Sequence, residues 1–116
     1  MPDAAYNLGV MYTEGQGIGQ DFNEAVRLFR SAAEQGHSDA QFNLGGMYAT
    51  GRGVVRNDVE AYKWVALAAA KGDQDARKAL ERLAARMSPA QVEAARQSES
   101  SWVPCKSKTE CEVRLK

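Results

Sequence analysis

Residues 39–54, DAQFNLGGMYATGRGV, restate with few changes what residues 3–18, DAAYNLGVMYTEGQGI, set out 36 positions earlier. Asp3-Ala4 aligns with Asp39-Ala40, Leu8 with Leu44, Gly9 with Gly45, Tyr12 with Tyr48, Gly15 with Gly51 and Gly17 with Gly53. The register continues through Ala25/Ala61, Ala32/Ala68, Ala33/Ala69 and Gly36/Gly72. A third start follows at Asp75-Ala76, with Leu80 at the same interval. Self-similarity at a fixed period of this size marks a stack of structural repeats.

Each full copy reads as two helices. Ala4, Leu8, Met11 and Tyr12 recur at helical spacing behind Asp3 as N-cap, and Asp39 stands likewise before Ala40, Leu44, Met47 and Tyr48. The turns Gly15-Gln16-Gly17-Ile18 and Gly51-Arg52-Gly53-Val54 end this first helix, because glycine accepts the positive φ of a helix stop. Ile18 or Val54 then plugs the junction. The second helix starts near Asp21 or Asn57 and carries Ala25, Leu28, Phe29 and Ala32, or Ala61, Trp64, Val65 and Ala68. It stops at Gly36 or Gly72. No stretch alternates as a β-strand does. A single helix pair cannot cover its own apolar face, so each must stack on the next, with Gly9, Gly45 and the paired alanines allowing close approach. The expected fold is all-α, an α/α superhelix (solenoid) of antiparallel helix pairs.

The repeats span about 3–38 and 39–74, and a divergent third, 75–97, reads as a cap. There Glu81 and Ala84 take the Gly and Tyr places and the Gly-x-Gly turn is missing. Ser88-Pro89-Ala90-Gln91 restarts a helix, with Ser as N-cap, Pro at the first turn and Gln placed for a reciprocal bond, so a closing helix is expected from Pro89 to about Ser98. Residues 98–116 lack a helical period and read as a mostly irregular tail anchored by Trp102.

These motifs resemble Sel1-like repeat proteins, relatives of the tetratricopeptide repeats whose unit is near 36 residues and whose turn carries Gly-x-Gly. The resemblance covers about Asp3 to Gln97, and Met87-Ser88-Pro89-Ala90-Gln91 is similar to the closing helix of bacterial arrays. It implies a non-enzymatic adaptor that gathers proteins or peptides along the concave face. One branch of the family is cysteine-rich and carries a penicillin-binding or β-lactamase-like activity. The repeats here contain no Cys, which sets the chain apart from that branch and leaves an enzyme acting on cell-wall peptides or β-lactams as the competing expectation.

Composition narrows the partners. Lys plus Arg equals Asp plus Glu at 15 each, so no net field exists to hold a polyanion, and nucleic acid is not expected. The longest apolar run, Trp64 to Ala70, is far short of a membrane span, so no membrane insertion is expected. The compartment stays open between the cytoplasm and, after removal of a leader, the periplasm or exterior. The first helix, with no cap repeat ahead of it, is also expected to self-associate or to be the face on which a longer array continues.

No catalytic constellation is visible. The Gly-x-Gly turns lack the preceding strand and following Lys of a phosphate loop. His37 is alone, is expected to be solvent-exposed, and has no partners for a metal; neither metal nor cofactor is expected. Cys105 and Cys111 form either a small disulfide loop or two free thiols. Asp3, Asp21, Asp39, Asp58 and Asp75 sit at helix starts, where caps and the macrodipole account for them. Tyr12, Phe29, Tyr48 and Trp64 repeat in register and are expected in the core.

The first-helix positions off the apolar stripe are left to line a groove: Tyr6, Asn7, Val10 and Thr13 in one copy, and Phe42, Asn43, Gly46 and Thr50 in the next. An amide both donates and accepts, so Asn7 and Asn43 either grip a peptide backbone or bond across to a neighbouring helix. The resemblance to tetratricopeptide proteins favours the first role. Lys78, Arg82 and Arg86 follow on the third copy, as a basic end for an acidic residue or C-terminal carboxylate, or simply as a solvated face.

Overall fold

The structure is a computed structural model describing residues 2–15 and 17–115, with only the backbone of Lys108. Gln16, quoted in the first turn motif, lies outside the described residues. Seven helices follow one another among the described residues: α1 (Pro2–Glu14), α2 (Phe22–Glu34), α3 (Ser38–Thr50), α4 (Asp58–Ala69), α5 (Gln74–Ala85), α6 (Pro89–Ser101) and α7 (Lys108–Leu115). No strand occurs among the described residues. The starts of α1, α3 and α5 are 36 residues apart, as are those of α2 and α4.

The turn geometry repeats with the sequence. Gly15 N–H donates to Met11 O and Gly51 N–H to Met47 O, both at 2.8 Å, and Asp21 and Asn57 N–H reach Tyr12 O and Tyr48 O at 3.0 Å. Gly51 takes φ 72° and caps α3 in the left-handed region. Asp21 and Asn57 cap α2 and α4 as read. Three other helix starts differ from the expectation. Asp3, read as the N-cap of α1, lies inside its first turn. The N-cap of α3 is His37, whose Nδ1 accepts from Ala40 N–H at 3.1 Å, and that of α5 is Asp73. Asp39 and Asp75 therefore stand in the first turn, where their charge meets the helix dipole without capping it. His37 is half-buried, not solvent-exposed: its ring stacks on Tyr6 with centroids 4.8 Å apart, and its Nε2 lies 3.0 Å from Asp3.

α1 packs on α2, α2 on α3, α3 on α4, and both α5 and α6 lie on α4. The close approaches are made at glycine. A Cβ on Gly45 would lie 2.5 Å from Val65 Cγ2 and 3.1 Å from Ala61 O, and one on Gly9 2.8 Å from the Phe29 ring. Phe29, Leu44, Trp64 and Val65 are sealed in the core between these helices.

The stripe of α1 departs from the expected burial. Leu44 and Met47 are 0% and 6% exposed beneath α2, whereas their counterparts Leu8 and Met11 are 38% exposed, and Ala4 is exposed too. The stripe is the same, but no helix of the described residues lies on it.

The tail also differs from its reading. The helix from Pro89 runs to Ser101, and the segment read as irregular contains α7. Cys105 and Cys111 form a disulfide. The tail folds back on α2: Cys105 N–H donates to Glu34 O at 2.8 Å, Trp102 Nε1 to Glu34 Oε1 at 2.8 Å, and Arg114 Nη1 to the same oxygen at 3.2 Å. Glu34 is buried, and a buried carboxylate is tolerated when paired and hydrogen-bonded. Trp102 meets Trp64 edge-on with centroids 5.9 Å apart.

Asp58, at the start of α4, ties two repeats together. Arg86 Nη2 donates to Asp58 Oδ1 at 2.7 Å and to Ala49 O at 2.9 Å, and Arg56 Nη2 reaches Asp58 Oδ2 at 3.3 Å. Burial alone pushes this carboxyl up, but the hydrogen bonds and charges of Arg86 and Arg56 outweigh it and hold Asp58 below its ordinary value. A folded-state value below the unfolded one stabilises the fold above the ordinary aspartate range, and that gain is lost as pH falls below about 4 and on through the lowered folded value. We expect Arg86→Met to remove roughly 1 kcal/mol at neutral pH and much less at pH 3, read from urea midpoints at both pH values.

Candidate peptide-binding groove

The first helices α1, α3 and α5 flank two hollows that repeat with the solenoid. The hollow between α1 and α3, about 340 Å³, is floored by Phe29 and Met47 and edged by Thr13 and Asn43. The hollow between α3 and α5, about 350 Å³, has Val65, Leu83, Ala49 and Ala79 in those four places, each 36 residues on. Phe42, Gly46 and Thr50 line both hollows and form the ridge between them.

Of the residues picked out by pattern, Thr13, Phe42, Asn43, Gly46, Thr50, Arg82 and Arg86 line the hollows. Tyr6, Asn7, Val10 and Lys78 do not. Tyr6 packs on Phe29 with centroids 5.9 Å apart and on His37. Burial and the nearby Asp39 charge raise its hydroxyl pKa, opposed by a hydrogen bond with Asn43. Asn43 edges the first hollow. Asn7 and Lys78 are exposed, and Val10 is half-buried against the core of α2 and α3.

Charge is one-sided here. Among the described residues, the charged ones lining the two hollows are Arg52, Arg82 and Arg86, with no Asp or Glu. Arg86 is committed to Asp58 and Ala49 O, and Arg52 lies over the Phe22 ring at 5.6 Å. Arg82 is exposed and has no carboxylate partner among the described residues. Arg52 escaped the sequence reading because it sits inside the Gly-x-Gly turn, whose glycines drew the structural explanation; a cation between them was the available signal.

The ridge contains two adjacent glycines with different surroundings. Gly45 has no room for a side chain, whereas a Cβ on Gly46 would have no heavy atom within 4 Å. Gly46 has no positive φ either. A mid-helix glycine costs about 1 kcal/mol relative to alanine, and neither packing nor backbone geometry requires one here.

The Sel1 repeat pattern matches residues 2–37 and 38–73, the helix pairs α1/α2 and α3/α4. The chain belongs to the Sel1 repeat family. Among solved structures, a Sel1 repeat protein from Oxalobacter formigenes is 42% identical, covers 72% of this chain and superposes with a TM-score of 0.70. A second, c5321, a protective antigen present in uropathogenic Escherichia coli strains and displaying an SLR fold, is 28% identical over 99% of this chain with a TM-score of 0.85. This chain spans 24% and 25% of those two chains, about a quarter of each. No curated protein matches it. Sel1 repeats generally serve as protein-interaction scaffolds, and this one has no helix long and apolar enough to cross a membrane among the described residues.

No group of three or more His, Cys, Asp or Glu side chains that could hold a metal occurs among the described residues.

Proposed function

We propose that this Sel1 repeat unit is a non-enzymatic adaptor that binds an extended segment of a partner protein along α1, α3 and α5. The observation carrying this reading is the pair of hollows one repeat apart that share the Phe42, Gly46 and Thr50 ridge. Periodic pockets suit an extended chain, whose side chains recur at regular intervals while its backbone spans the ridge. Thr13, Asn43, Thr50 and Arg82 supply the polar contacts; Phe42 and Leu83 supply apolar surface. Tyr6, Asn7, Val10 and Lys78 would act at its margins.

The test is quantitative capture of cell proteins on the immobilised parent and on an Asn43→Ala/Arg82→Glu variant. A set of proteins retained by the parent and depleted several-fold by the variant supports the groove; identical sets reject it. Nitrocefin turnover above buffer would instead favour the enzymatic alternative.

A second reading is favoured by the α1 face. Leu8 and Met11 are exposed where Leu44 and Met47 are covered, and Gly17 is open where Gly53 touches Phe22 and Val26 of the preceding repeat. This surface has the form of an inter-repeat joint, so it would accept a further helix pair or a second copy. Sedimentation should show mass rising with concentration for the parent and a constant monomer for Leu8→Glu/Met11→Glu; a concentration-independent parent mass would argue against self-association.

A further inference from the structure

We infer that Gly46, by carrying no side chain, holds the two hollows open for an acidic peptide whose apolar side chains enter them while its backbone crosses the ridge. This inference rests on the groove reading above and names its ligand.

Nothing in the fold around Gly46 calls for a glycine. Its neighbour Gly45 is fixed by Val65 and the Ala61 carbonyl, but Gly46 is exposed, helical and free of neighbours. The equivalent places in the adjoining repeats carry Val10 and Arg82, so neither the fold nor the repeat demands a small residue there. Gly46 is nonetheless common to both hollows. Any longer side chain on it would project from the ridge into space that a ligand needs.

The class of ligand follows from the walls. Phe29 and Met47 on one side, and Val65 and Leu83 on the other, offer apolar floors for aliphatic or aromatic side chains. The rim charges are all arginine, in a chain whose net charge is zero. Arg52 and Arg82 both have no carboxylate partner among the described residues, and only Arg52 has a ring beneath it, Phe22; a guanidinium pairs well with a carboxylate in forked geometry. By contrast, the hollow of about 620 Å³ among α4, α5 and α6 mixes Arg77 and Arg96 with Glu93 and Glu99 and selects no sign of charge.

The probe is a fluorescein-labelled peptide pool in which two leucines at varied spacing are embedded in aspartates. Matched pools carry lysine for aspartate or serine for leucine, and binding is read by fluorescence anisotropy. The parent should bind the aspartate-leucine pool at least tenfold tighter than either control. Gly46→Leu should weaken that binding at least tenfold while keeping the helical circular dichroism. Gly46→Ala should raise the thermal midpoint by roughly 4 °C, as a fold-neutral position allows, and weaken binding by a smaller factor. If Phe42→Ala and Arg82→Glu weaken binding but Gly46→Leu matches the parent, the inference about Gly46 fails and the groove survives. Equal binding by all three variants, equal binding of the lysine pool, or no saturable binding by the parent overturns the ligand assignment.

Discussion

Trp64→Ala is expected to remove about 3–5 kcal/mol of folding free energy, a large share of what a domain of this size has. Trp64 is 0% exposed and fills the space between α4, α2 and the tail, so its loss leaves a cavity that rigid helices cannot close. It also removes the ring against which Trp102 rests. One term runs the other way: Trp64 Nε1 is buried without a hydrogen-bond partner among the described residues, so Trp64→Phe should cost less than half as much as Trp64→Ala. Urea unfolding measures both. A double-mutant cycle with Trp102→Ala should give a coupling of about 0.5–1.5 kcal/mol. A loss under about 2 kcal/mol for Trp64→Ala would mean that the tail and the repeats are not joined through this residue.

Gly53→Ala is expected to cost about 2–4 kcal/mol, and Gly17→Ala only about 1 kcal/mol. The two glycines hold the same backbone conformation, φ 72° and 76°, so the left-handed penalty is common to both. They differ in what surrounds them. A Cβ on Gly53 would lie 2.4 Å from Phe22 O, a backbone atom that cannot swing aside, whereas one on Gly17 meets nothing within 4 Å. The difference between the two losses therefore measures the contact between one repeat and the next. Equal losses in thermal and urea unfolding would show that the turn contributes through its own conformation alone.

The repeats were legible because packing writes the same residues at the same interval. Gly9 and Gly45 could be read as close-approach sites, Gly15 and Gly51 as helix stops, and Asp21 and Asn57 as caps. Periodicity could not say whether a stripe has something to rest on. Leu8 and Leu44 look alike in sequence, and only the position of α2 separates the covered one from the open one. The caps of α3 and α5 were displaced by two residues because Asp39 and Asp75 match the N-cap preference as well as Asp73 does, and histidine is not a usual cap.

The hollows were partly legible for the same reason. Counting off-stripe positions on the first helices picked out Phe42, Gly46, Thr50 and Arg82, because side-chain direction follows from helical spacing. It also picked out Tyr6 and Val10, whose contacts depend on how α2 and α3 tilt. The tail was the least legible part. Its partners lie 68 and 80 residues away in the chain, and an eight-residue helix has too short a pattern to read.

The bridge between Cys105 and Cys111 governs where this chain can be shortened. It closes a small ring, and just beyond that ring Arg114 meets the carboxylate at the end of the second helix, on the side reached by Trp102. Cutting the polypeptide ahead of that tryptophan would remove both side-chain donors that hold the acid, together with the segment packed on it. The final segment thus acts as a keystone for the first repeat, and trimming it to tidy the molecule would unsettle residues near its opposite end.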